Sequence, residues 1–148
     1  MDELEFKKTY HQTNARPCFF EKALLTRCYQ CEKHQRVMIA GREGMTCLSV
    51  AGQQMCQRLH HQLKQHANFS LGLAQVSDSL PHAKQMKLLC GGLNGVKEQL
   101  EPKQQSDNVY QLLKTVQQQF GDLDLLPYAE VVKSIAHYQG RQRRRGKR

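Results

Sequence analysis

Met55, Leu59 and Leu63 recur every four residues, and Gln53, Gln57, Arg58, His61, Lys64 and Gln65 occupy the other positions around them. One apolar stripe beside a wet face predicts a helix over about residues 50–69, with Ser49 as its N-cap. The cleanest pattern is "SDNVYQLLKTVQQQFG", where Val109, Leu112, Leu113, Val116 and Phe120 share a face, Ser106 stands at the cap and Gly121 at the end. Pro127 opens a last helix carrying Val131, Val132, Ile135 and Tyr138. In "SDSLPHAKQMKLLCGG" the pattern places Asp78 or Ser79 at a cap, Pro81 in the first turn and Gly91 or Gly92 at the stop. A short segment from Val96 to Leu100 follows. Phe20, Leu24, Leu25 and Cys28 give one more helical face within residues 19–31.

Between these helices, "VMIA" at residues 37–40 suits strand or helix, and "GREG" at 41–44 reads as a loop. The alternation that marks a hairpin is missing. The expected fold is therefore mostly α: a small single helical domain over residues 16–140, behind a polar arm at 1–15. Within it, residues 16–48 form a cysteine-rich metal-binding region, and residues 141–148 form a disordered basic tail.

Composition narrows the setting. A chain of 148 residues can bury one core without staples. Nothing approaches the roughly 18 consecutive apolar residues of a membrane span. The start, "MDELEFKKTYHQ", lacks the apolar stretch of a secretory leader. These features predict a cytoplasmic protein with no membrane partner, in a reducing compartment where structural disulfides are rare.

The net charge of +9 is unevenly spread. Arg141, Arg143, Arg144, Arg145, Lys147 and Arg148 crowd the last eight residues with no acid among them, leaving 16 basic against 13 acidic residues elsewhere. Such a strip repels itself until it meets an acidic surface, and phosphate suits its guanidinium groups. Nucleic acid or a ribonucleoprotein is the expected partner, with an acidic protein surface as the alternative. The oligomeric state is not legible.

Cysteine carries the candidate chemistry. Cys18, Cys28, Cys31 and Cys47 follow C-x9-C-x2-C-x15-C. Thiolate is the preferred ligand of zinc and of iron–sulfur clusters, and both commonly take four. Structural zinc sites favour two paired knuckles, whereas this stretch has one pair and two singletons, an arrangement that clusters accept more readily. Arg16, Lys22, Arg27, Lys33, Arg36 and Arg42 lie nearby in sequence and would offset thiolate charge. The expected cofactor is an iron–sulfur cluster such as [4Fe-4S], with zinc as the alternative. Simple burial of thiols is the competing reading, because free cysteine often behaves as a small hydrophobe. Cys56 reads as a core residue on its helix, and Cys90 as a helix-end position. Both stay as alternative ligands, as does His34.

The order of one singleton, a C-x2-C pair and a second singleton, ahead of a glycine turn and a basic terminus, is similar in layout to WhiB-like iron–sulfur regulators. The spacings differ, and "CGGLNG" stands in place of their aromatic turn. As an analogy, the layout implies a redox- or iron-responsive accessory or regulatory factor. Catalytic signatures are missing: there is no G-x-S-x-G, no P-loop and no H-E-x-x-H. The balance leans away from an enzyme. The competing function is a zinc-stabilised or metal-free helical adaptor for a protein or ribonucleoprotein.

Overall fold

The computed structural model describes residues 3–69, 71, 72, 80–101 and 106–139. The basic tail, Gly140 and the proposed caps Asp78 and Ser79 lie outside them. The fold is mostly helical, a small single domain with one two-stranded sheet. In chain order the elements are α1 (Glu3–Thr13), α2 (Glu21–Leu25), β1 (His34–Ile39), β2 (Arg42–Cys47) and α3 (Val50–Ala67). Then come α4 (His82–Met86), a π-helical turn (Lys87–Gly91), α5 (Gly92–Glu98), α6 (Val109–Phe120), a 3-10 turn (Leu123–Leu125) and α7 (Tyr128–His137). No described helix is long and apolar enough to cross a membrane.

The strongly periodic segments fold as expected. Ser49 Oγ accepts from the Gly52 N–H at 2.9 Å and caps α3, whose Met55, Leu59 and Leu63 are buried. Helix α6 buries Val109, Leu112, Leu113 and Val116 and ends at Gly121, whose φ of +85° suits a residue without Cβ. Its cap is Asn108 rather than Ser106; the Ser106 hydroxyl instead accepts from the Asn108 N–H. Helix α7 lays Val131 and Ile135 across the core formed with Leu59, Leu63, Leu88 and Leu93. Each such buried side chain contributes about 2 kcal/mol of apolar transfer.

Four expectations change. Residues 34–47 form an antiparallel hairpin, with His34 opposite Cys47 and Ile39 opposite Arg42. Ala40 and Gly41 turn it, both at positive φ (53° and 82°), the twist that two-residue hairpin loops require. The "GREG" stretch is thus mostly strand. The helix expected within 19–31 stops after five residues. Thr26 Oγ1 donates to the Lys22 carbonyl, Arg27 adopts φ +65°, and the Cys28 N–H returns to the Ala23 carbonyl, closing a left-handed C-terminal cap.

Gly91 and Gly92 do not stop a helix. The backbone runs through them at φ near −64°, and here glycine provides closeness. A Cβ on Gly92 would lie 2.7 Å from Leu63, and one on Gly95 would lie 2.7 Å from the Val131 carbonyl of α7. Finally, most of the polar arm is helix α1. Tyr10 donates to Glu21 Oε1 at 2.6 Å, the same oxygen accepts from the Met45 N–H, and buried Asn14 donates to the Met45 carbonyl at 2.8 Å. These bonds fasten α1 to α2 and β2.

Candidate metal centre

Four separate segments bring thiols to one cavity. Cys18 and Cys47 meet because the chain at Arg16–Cys18 pairs with β2: the Cys47 N–H donates to the Arg16 carbonyl and the Cys18 N–H to the Met45 carbonyl. Cys31 arrives from a turn pinned to the start of α6. There the Gln30 N–H donates to the Asp107 carbonyl and the Val109 N–H donates to the Gln30 carbonyl, each at 2.8 Å. Cys56 comes from the second turn of α3, which is tied to the same region by Gln53 Nε2 donating to the Pro17 carbonyl at 3.0 Å.

Cys18, Cys31, Cys47 and Cys56 all line this cavity, and Phe19, Phe20, Leu24 and Val109 make its walls largely apolar. Its enclosed volume is about 20 Å³, roughly the room one water occupies. Each of the six pairs among the four thiols interacts electrostatically. Burial is the main effect on them. It pushes Cys18 up to about 12 and raises Cys31 and Cys56, and the neighbouring thiols add to the rise. Backbone N–H groups oppose it: that of Phe20 bonds the Cys18 sulfur, and those of Lys33 and Tyr110 bond the Cys31 sulfur. The Cys47 thiol donates to the Ser49 carbonyl at 3.2 Å.

Two open clefts flank the cavity. One, of about 330 Å³, reaches Cys18 and is lined by Lys22, His60, Lys64 and Gln85. The other, of about 460 Å³, reaches Cys31 past Arg27, His34, Arg36 and Asn108. Lys33 lines the cavity itself and sits 5.1 Å from the Tyr110 ring centroid. Of the other nearby cations, Arg36 pairs with Glu43 and Arg42 with Glu3 along the hairpin.

The structure groups the sequence candidates differently from their spacing. Cys18, Cys31 and Cys47 come together, and Cys56 joins them. Cys28 does not line the cavity; its sulfur lies 3.5 Å from Tyr138 Oη and close to Cys90. His34 lines the cavity, with Nδ1 against the Cys31 carbonyl, so Nε2 is the nitrogen it would offer an ion. His60 is half-buried. It sits between Phe19 and Phe20, at 5.8 and 6.1 Å, and burial pulls it down to about 4. The place of Cys56 was foreshadowed only by its proximity to the other thiols in sequence.

The donor set bears on which metal fits. Tetrahedral zinc with sulfur at 2.3 Å needs thiolates about 3.8 Å apart. Among the described residues, no three His, Cys, Asp or Glu side chains stand close enough to hold a single ion. A cluster spreads its ligands more widely. It is also larger than the enclosed void. Compared with protein families, curated proteins and solved structures, the chain matches none.

Proposed function

We propose that the protein binds an iron–sulfur cluster through Cys18, Cys31, Cys47 and Cys56, as an accessory or regulatory factor that responds to iron or redox state. The observation that carries this reading is the convergence of four thiols, from four separate segments, on one largely apolar cavity. Peptide N–H groups directed at two of the sulfurs support it, since such bonds stabilise ligated thiolate and tune cluster potential. The raised thiols are neutral at pH 7, so ligation must expel protons, and a metal supplies the positive charge that buried thiolates otherwise lack. The basic residues 141–148 would then hold the factor on nucleic acid.

Anaerobic reconstitution of the full chain with iron and sulfide tests the reading. A brown protein with charge-transfer absorbance and stoichiometric iron and sulfide is the expected outcome. A colourless protein holding one zinc would favour the zinc-stabilised adaptor, and one holding no metal would leave the thiols as core packing. For the tail, affinity for a DNA duplex should fall with salt at a log–log slope of about −3 to −5, for four to six phosphates neutralised. Truncation after Gly140 should flatten that slope.

A further inference from the structure

Cys28 and Cys90 have no part in the cavity, yet they face each other. Cys28 follows the left-handed cap of α2, and its backbone is held by the bond from its N–H to the Ala23 carbonyl. Cys90 sits in the π-helical turn Lys87–Gly91, a distortion often found at functional positions. The two thiols lie close enough to interact electrostatically, and the Tyr138 phenol stands beside both. The oxygen lies 3.5 Å from the Cys28 sulfur. Tyr138 is held there because Gly91 has no side chain; a Cβ on Gly91 would come within 3.0 Å of the tyrosine Cβ. The two thiols differ in access: Cys90 is 1% exposed, whereas Cys28 is only partly buried.

We infer that Cys28 and Cys90 are a redox-active pair that hydrogen peroxide converts to a reversible disulfide, with Tyr138 aligning the sulfurs in the reduced state. Cys28, the less buried of the two residues, attacks one peroxide oxygen as thiolate. The O–O bond breaks, leaving Cys28 sulfenic acid and a hydroxide that takes up the thiol proton. The Cys90 sulfur then attacks the Cys28 sulfur, the S–O bond breaks, and the departing oxygen leaves as water with the Cys90 proton. Two thiols and one peroxide give one disulfide and two waters, with two electrons passing from sulfur to oxygen. Drawing the sulfurs to the covalent distance of about 2.05 Å removes both thiol partners of Tyr138, at the end of α7.

The test is one equivalent of hydrogen peroxide on the reduced full chain, followed by maleimide quenching, trypsin and mass spectrometry. The expected product joins peptides 28–33 and 88–97, two hydrogens lighter than their sum, and dithiothreitol separates them. Fragmentation must place the link on Cys28, because Cys31 lies in the same peptide. A link to Cys31, or maleimide on both Cys28 and Cys90 after the peroxide is consumed, would overturn the pair. In Cys90→Ala the sulfenic acid has no partner, so dimedone labelling of Cys28 should rise severalfold over wild type; no rise would remove Cys28 as the attacked sulfur.

Discussion

The four cavity thiols and the Cys28–Cys90 pair place one residue type in two chemical settings. Cys18 and Cys90 are both pushed up to about 12, chiefly by burial, but their next neighbours differ. The Cys18 sulfur receives a peptide N–H, a donor that cannot give up its proton and therefore suits a sulfur held as thiolate. Cys90 instead stands beside a thiol and a phenol, whose protons can move. Carriage differs as well. The cavity thiols ride on four separate segments, two of which border open clefts, whereas Cys90 lies in a helical turn pressed against α7. A buried thiol thus acquires its chemistry from the donors around it.

Single substitutions should separate the two groups most sharply. Cys18→Ser, Cys31→Ser and Cys56→Ser should each reduce bound iron and sulfide to near zero, while Cys28→Ser and Cys90→Ser retain them. Equal losses across all five would erase the distinction. Next in size is Gly95→Ala, whose Cβ would meet α7 at 2.7 Å. Overpacking of about 3 kcal/mol, offset by about 1 kcal/mol of helix propensity, gives a net loss of about 2 kcal/mol. The urea midpoint should fall accordingly, and Cys28–Cys90 linkage should slow while metal loading is kept.

His60, which lines the cleft reaching Cys18, sets a pH dependence. Its folded value of about 4 lies below the ordinary 6.5, so the unfolded chain binds the proton more readily. Its contribution is intact above pH 6.5 and is lost as pH falls toward 4, by up to about 3 kcal/mol. Denaturant titrations at several pH values should show this slope, and His60→Leu should remove it. The smallest expected effect is that of Asn108→Ala. It deletes the α6 cap and the 2.9 Å bond from Nδ2 to Glu32, beside Cys31, at a cost of about 1 kcal/mol in the same titration.

Helices α3, α6 and α7 were legible because long stripes and caps agree. The hairpin was not, because its turn is Ala40-Gly41 rather than Asn-Gly, and because β1 exposes Gln35, Arg36 and Met38 where alternation would hide some of them. Glycine misled at Gly91 and Gly92, since a residue that ends helices in isolation also lets two helices touch. The C-x2-C spacing misled in a similar way. Arg27 turns the chain just before Cys28, and the Gln30 bridge then fixes Cys31 elsewhere, so adjacent thiols part company. Cys56 packs against the core as its helical position suggests, and it also lines the cavity, which the stripe alone does not reveal.

The bridge between Gln30 and the start of α6 also bears on when the cavity can exist. It is reinforced by the Glu32 N–H bonding to Asn108 Oδ1, a contact spanning 76 residues. Distant pairings form late, because the chain must close a long loop before it gains anything from them. On a polypeptide emerging from the ribosome, Cys18, Cys31, Cys47 and Cys56 are all synthesised well before Asn108 and Val109. Until those residues clear the exit tunnel, the turn bearing Cys31 has nothing to dock on, and its sulfur cannot join the other three. A cofactor held by all four sulfurs would therefore be inserted after most of the protein has been made.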